Sequence, residues 1–408
     1  MVPFKEWIYT VIHLSVWAEV GVITRAYLQK FFVLGCGGTS WGPCLAGGVY
    51  FEVLPPNILG SFIIGMVATS SMVGLDEDKS IVFLGRNHPW QSNIPLQTGI
   101  RTGLCGSITT FSSWMLEVMT TCLDGNQWLT GIGQMIVGFS CAVVAFALGT
   151  QVAVLLHHHF SASPIEDDKI AYMEKEADYM FGLSSRESVG VSRELEEVEP
   201  DVPETGRLSQ SERRQSDYQR YRSQEYAHND EEDEKNETVT EKKKTVWNAH
   251  VIDHCASVLL VALTLGSCFG VAYETRHTWI RTIWLSIIFA PFGCILRWLL
   301  SKLNYKLAND WEWLPIGTLA ANWTGAVLDF VLQSVLIRVA PGYWGSLIIN
   351  AIETGFCGCL TTVSTLVAEI MKQAEQLPFS MRVYRYTLAT FVGAFIFGLC
   401  FLGWAYWT

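Results

Sequence analysis

The chain has 408 residues, 50% of them hydrophobic and 12% aromatic, with a mean hydropathy of +0.25. That is too apolar for an ordinary soluble protein and points to a membrane protein. The formal charge of −11 is concentrated in one place: residues 161–250 carry 23 acidic and 13 basic side chains. The rest is nearly neutral, and no basic face emerges that would suit a nucleic acid.

The opening stretch, Met1 to Phe32, has neither a basic n-region nor a small-residue cleavage site. It reads as a first membrane span rather than a cleavable signal. A bilayer core needs about 20 mainly apolar residues per helix. Nine candidates meet that need, at roughly 8–33, 45–73, 97–122, 131–156, 250–272, 280–304, 312–336, 344–370 and 384–406. Cys36 and Cys44 flank a Gly-rich loop after the first span and would pair if that loop faces an oxidising side. The other cysteines read as small packing residues within the spans. Between the fourth and fifth spans, residues 157–249 are rich in Glu, Asp, Ser, Arg and Gln and read as a disordered cytoplasmic loop. Lys and Arg near the span ends weigh eleven to four for an inside N-terminus and an outside C-terminus.

Several short strings occur twice. "GLCGSITTFSSWMLE" (Gly103–Glu117) is answered by "GFCGCLTTVSTLVAE" (Gly355–Glu369). "GVITRAYL", with Gly21 and Arg25, is answered by "GCILRWLL", with Gly293 and Arg297. "PPNILGSF", with Asn57 and Gly60, is answered by "AANWTGAV", with Asn322 and Gly325. The pairs keep their order, so spans one to four match spans six to nine and the fifth is unmatched. An offset of five spans is odd. The two copies must then cross the membrane in opposite directions, as an inverted repeat. The expected architecture is an all-α integral membrane protein of nine spans. Its parts are a first repeat (1–156), the acidic loop (157–249), a linking helix (250–272) and a second, inverted repeat (273–408). The paired glycines and threonines predict a helix break at membrane depth, which is tolerated only where it is buried or lines a cavity.

These residues resemble the Fluc/CrcB/FEX fluoride channel family: Gly-x-x-x-Arg in the first span, Asn before Gly in the second and a Thr-Thr-Phe-Ser string in the third. The fused, doubled arrangement looks like the family's eukaryotic form. The resemblance implies passive export of fluoride across the plasma membrane by a monomer acting as a pseudo-dimer, with fluoride and the lipid bilayer as its partners. It also implies a buried structural sodium ion, held by the backbone carbonyls of Gly106, Thr109, Gly358 and Thr361. The anion path it implies runs past Asn57, Asn322, Thr110, Thr362, Ser112 and Ser364, then a pair of aromatic residues, Phe111 and Trp114. A polar track in the last span adds Tyr386 and Thr390. Arg25 and Arg297 are expected at a vestibule or in support of the fold.

The chemistry is consistent with that assignment. Fluoride is small and strongly hydrated, and neutral donors such as amides and hydroxyls can replace its water. A phenyl ring edge is positive and can face an anion. The halves differ, however. Val363 and Leu366 stand where the first half has Phe111 and Trp114, while Gln134 and Ser140 are the nearest polar residues in the fourth span. Asn322, Tyr386 and Thr390 would then combine with Phe111 in one working pore, leaving Asn57 with Val363 and Leu366 in a vestigial one. Two other classes stay open on the residues alone. A coupled anion transporter would need an ionisable group in mid-path, for which Glu117 is the best candidate. A membrane enzyme would need a catalytic constellation, and no HExxH or clustered His/Asp/Glu at catalytic spacing is present.

Overall fold

The computed structural model describes residues 4–35, 51–68, 90, 93–160, 239–308, 311–376 and 381–408. Cys36, Cys44 and the acidic stretch 161–238 lie outside them. The chain divides into two units, residues 1–161 with 249–408, and residues 162–248. The contacts below all belong to the first.

Apolar runs with few charges make long helices, and short glycine-rich stretches interrupt them. The first half contains α1 (Phe4–Gly35) and α2 (Leu54–Ala68). Next comes α3, which starts at Ile94–Thr98, widens into a π-helical stretch Gly99–Cys105 and ends in the turn Gly106–Ile108. After a break the chain resumes as α4 (Ser112–Leu123) and returns as α5 (Trp128–Phe160). Helix α6 (Val239–Tyr273) begins ahead of the expected residue 250. The second half repeats the order: α7 (Thr278–Ser301) and α8 (Ile316–Val339), then α9, running from Tyr343–Ala351 through a π-helical stretch Ile352–Cys357 to Gly358–Leu360. It closes with α10 (Ser364–Gln376) and α11 (Met381–Trp407). No strand occurs among the described residues. Seven of the described helical stretches are long and apolar enough to cross a membrane, with α9 and α10 taken together as one, and α2 is a shorter apolar helix.

The breaks sit at the same place in both halves. Thr109 and Thr361 leave the helical region for extended backbone, with φ/ψ of −83°/151° and −89°/158°. Each interrupts a helix that would otherwise run on from α3 to α4 or from α9 to α10.

Packing ties the halves together through these broken helices. Helix α1 lies along α7, α2 along α5, and α8 along α11. Helix α4 of the first half packs on α8 and α11 of the second, and α10 of the second packs on α2 and α5 of the first. One apolar cluster joins Phe51, Trp114, Met115 and Phe146 to Phe330, Leu366, Tyr386 and Leu402. The linking helix α6 meets α1 through polar groups: His13 Nε2 lies 3.1 Å from Asp253 Oδ1, and Thr264 donates to Glu19 Oε1 at 3.3 Å. Its apolar side chains Val258, Val261 and Phe269 point outward, where a bilayer would cover them. In the α6–α7 turn, Glu274 Oε1 accepts the backbone N–H groups of His277 and Arg276, both at 2.9 Å. Those bonds hold its carboxyl below the ordinary range.

The tightest helix pair is α2 on α5. A Cβ on Gly65 would strike the backbone of Phe146, and one on Gly149 would strike the backbone of Phe62. A backbone contact cannot rotate away, so overpacking costs about 1–3 kcal/mol per site. Gly149→Val is therefore expected to lower the melting temperature of the detergent-solubilised protein. Gly266→Val, with open space around its Cβ, should leave that temperature unchanged.

Candidate functional site

The doubled Thr-Thr-x-Ser string builds the centre of the molecule. A helix that starts at membrane depth has first-turn N–H groups with no water to satisfy them. Here the missing partners come from the other half. Thr361 Oγ1 accepts from the N–H groups of Phe111 (3.2 Å) and Ser112 (3.1 Å), at the start of α4. Thr109 Oγ1 accepts from Val363 and Ser364 (both 3.2 Å), at the start of α10. Each hydroxyl hydrogen returns to a carbonyl in its own segment, Cys357 O at 3.0 Å and Cys105 O at 3.1 Å. The second threonine of each doublet serves its own helix: Thr110 Oγ1 accepts from Ser113 N, and Thr362 Oγ1 from Thr365 N, both at 3.3 Å. Ser112 and Ser364 complete the cluster, each hydroxyl 3.1 Å from the opposite capping threonine.

The Asn-x-x-Gly strings hold the breaks from the side. Asn57 Oδ1 accepts from Thr110 N at 2.9 Å while its Nδ2 donates to Thr110 O at 3.3 Å. Asn322 does the same for Thr362, at 2.8 and 3.1 Å. The amides thus stand in for strand-like partners of a peptide unit that has left the helix. Gly60 and Gly325 leave room for the methyl groups of Thr109 and Thr361.

The Gly-x-x-x-Arg strings complete the brace. Gly21 seats the first break, with a built Cβ 2.7 Å from that of Ser107, and Gly293 seats the second against Phe356. The arginines reach across. Arg25 donates to Gly358 O at 2.8 Å and also to Thr354 O. Arg297 donates to Thr102 O. Both are almost fully buried. Arg25 also lines a cavity that does not include Arg297.

The aromatic side chains gather on one side only. Phe111 and Trp114 meet Phe391 of α11 with ring centroids 5.5 and 5.2 Å apart, and Phe51 stacks on Trp114 at 5.9 Å. Their counterparts Val363 and Leu366 are aliphatic and buried in the same apolar cluster. Thr390, one residue before Phe391, donates to Tyr386 O at 2.9 Å. The Tyr386 hydroxyl is spent on Glu369 Oε2 at 2.7 Å, and Glu369 Oε1 takes Thr318 at 2.6 Å and Asn304 at 3.0 Å. In the first half the matching Glu117 instead accepts the backbone N–H of Glu52 at 2.9 Å and lines the cavity together with Gln134. Phe391, Phe51, Thr318 and Asn304 escaped the sequence reading, since none belongs to a repeated string. The recurrence of Glu117 and Glu369 was the only signal pointing to that network.

The carbonyl set expected to hold sodium passes one test of fit and strains another. Thr109 and Thr361 leave the helical ladder, so oxygens that suit a hard cation are released at the breaks. Gly358 O already accepts the Arg25 guanidinium and retains one lone pair for further use. The residues therefore fit the ion, with Gly358 shared.

The family description "CrcB-like protein, Camphor Resistance (CrcB)" matches residues 12–150 and 284–404, one segment in each half. The chain belongs to this family. It is 25% identical over 362 residues to the fluoride export protein 1 of Candida albicans, a match covering 82% of this chain and 70% of that protein. It is 36% identical over 101 residues to the fluoride export protein 1 of Neurospora crassa, covering 24% of this chain and 18% of that protein. It is 34% identical over 112 residues to the fluoride-specific ion channel FluC 2 of Staphylococcus haemolyticus, covering 28% of this chain and 84% of that protein. No solved structure matches.

Removing a capping hydroxyl should cost about 0.5–2 kcal/mol. Thr109→Val and Thr361→Val are each expected to destabilise the solubilised protein in thermal unfolding, and Thr→Ser at the same sites should restore most of the loss. Because the two hydroxyls share one network, the double variant should depart from additivity by about 0.5–3 kcal/mol.

Proposed function

We propose that this chain is a fluoride-selective channel that lets the anion leave the cytosol passively across the plasma membrane. The observation that carries this reading is the central break. It gathers neutral hydroxyl and amide donors at membrane depth, which can replace the water of a small hydrated anion without a deep trap. Family membership and the printed names of the relatives support the same reading, and they favour a channel over a coupled transporter or an enzyme.

In this reading the chain crosses the membrane nine times, counting α2 and α3–α4 as crossings. Its halves are inverted repeats joined by α6, so that one chain serves as a pseudo-dimer. The N-terminus and the acidic loop are cytoplasmic, and the C-terminus is outside. A sodium ion, when bound, would supply fixed positive charge at the Gly106, Thr109, Gly358 and Thr361 carbonyls. The chain's own residues do the remaining work. Each Asn amide nitrogen has two hydrogens, of which one is spent on the threonine carbonyl and the other is offered to the path. The Phe111 edge and the hydroxyls of Ser112, Ser364, Thr110 and Thr362 take over as water is lost.

One pore works and the other is vestigial. Support comes from the packing of α4 on α8 and α11, which sets Phe111 beside the helices that carry Asn322 and Thr390. Tyr386 contributes a wall rather than a donor, because its hydroxyl serves Glu369. The other composite has Asn57 beside Val363 and Leu366.

The test is fluoride efflux from proteoliposomes, followed with a fluoride electrode after a potassium ionophore is added. Efflux should follow the membrane potential and should not occur with chloride. Dependence on an imposed proton gradient would replace the channel with a coupled transporter. Losing a donor to an ion removes about 1.5–3 kcal/mol. Asn322→Ala should therefore slow efflux by about 10- to 100-fold per folded protein, and Asn57→Ala much less. Equal losses would refute the single working pore.

A further inference from the structure

Trp114 is the largest fully buried side chain among the described residues, and its indole Nε1–H has no hydrogen-bond partner. Leaving a buried donor unmet is costly, and a buried indole usually finds an acceptor. Trp323 does so, donating through Nε1 to Thr390 O at 3.2 Å. Packing alone does not ask for a donor at position 114. Leu366, at the matching place of the second half, is buried in the same apolar cluster and carries no polar side-chain atom.

The neighbours of the indole offer its nitrogen little. Phe51 stacks on it at 5.9 Å, and Phe111 and Phe391 stand at steep angles to it with ring centroids 6.2 and 5.2 Å away. An aromatic face is a weak acceptor for an N–H group. Gly138 of α5 lies against the nitrogen-bearing side of the ring: a Cβ there would come within 2.8 Å of Cε2, the carbon bonded to Nε1. Lacking a side chain, Gly138 brings no acceptor to that side. Along α4, Ser112 belongs to the central hydroxyl cluster, while Ser113 and Glu117 line the cavity that Arg25 reaches. Trp114 stands between Ser112 and Glu117, on the stretch of α4 that leads from the break to open space.

We propose that the Trp114 indole N–H is a fluoride donor of the working pore and that it sets the preference for fluoride over larger halides there. The inference rests on the channel reading above and adds a ligand that a phenylalanine at this place would lack. A phenyl edge offers an anion only a diffuse positive charge. An N–H offers a directed bond, and a bond to an ion is stronger than one between neutral groups. Fluoride is the smallest halide and the strongest hydrogen-bond acceptor among them, so a fixed donor favours it over chloride. The indole is uncharged, so it holds the anion without a deep trap.

The test uses the full-length protein in detergent micelles, with isotope-labelled indole nitrogens read by nuclear magnetic resonance. Replacing Trp114 with benzothienylalanine keeps the bicyclic shape and removes only the N–H, so the Trp114 signal is identified by its loss. Fluoride is expected to shift that signal downfield in a saturable way, while chloride at equal ionic strength leaves it in place. In the proteoliposome assay the same variant should release fluoride about tenfold more slowly, or slower still, per folded protein, with an unchanged melting temperature. If that replacement does not fold, Trp114→Phe serves for both measurements. A Trp114 signal that ignores fluoride or answers chloride equally would overturn the donor, as would a variant that conducts like wild type. A fluoride-dependent Trp114 signal in a wild type that passes no fluoride would uphold the donor and count against the channel.

Discussion

Two threonine hydroxyls satisfy helix ends to which they do not belong, and the rest of the structure depends on that exchange. A helix broken inside an apolar layer exposes donors that neither water nor lipid can meet, at several kcal/mol each. Thr109 meets those of α10, and Thr361 meets those of α4. Neither half can make its break alone, since each supplies the cap that the other lacks. The doubled string is thus one reciprocal device written twice.

The other repeated strings serve the same break from different directions. The asparagines pair with the peptide unit that has left the helix, the glycines let neighbouring helices approach it, and the arginines cross to the opposite half and bind its carbonyls. Burying a guanidinium is costly unless its donors are used: Arg25 spends its donors on Thr354 and Gly358, whereas Arg297 reaches Thr102 and leaves Nε and Nη1 without partners. These contacts leave small neutral polar groups at the centre, which is the property that the proposed conduction uses.

Around this shared centre the two halves have diverged. Aromatic rings collect where α4 meets α11, while aliphatic side chains fill the matching place at α10. Glu369 is closed in by Tyr386, Thr318 and Asn304, whereas Glu117 faces an open cavity.

Composition and hydropathy alone determined that this is a helical membrane protein, because about 20 apolar residues in a row have few other uses. The repeats located the centre, since Gly, Asn, Thr and Ser recurring inside apolar runs mark close approach and backbone breakage. The sequence also singled out Asn57, Asn322, Thr109, Thr361, Arg25 and Arg297. It left undecided what each one touches. Only the tertiary structure decided that Thr361 caps α4 rather than its own helix, that Tyr386 is committed to Glu369, and that Phe391 and Phe51 complete the aromatic cluster. The reason is physical: a break and its cap are defined by groups some 250 residues apart in the chain, and no local pattern records which of several polar residues will meet across a packed interface.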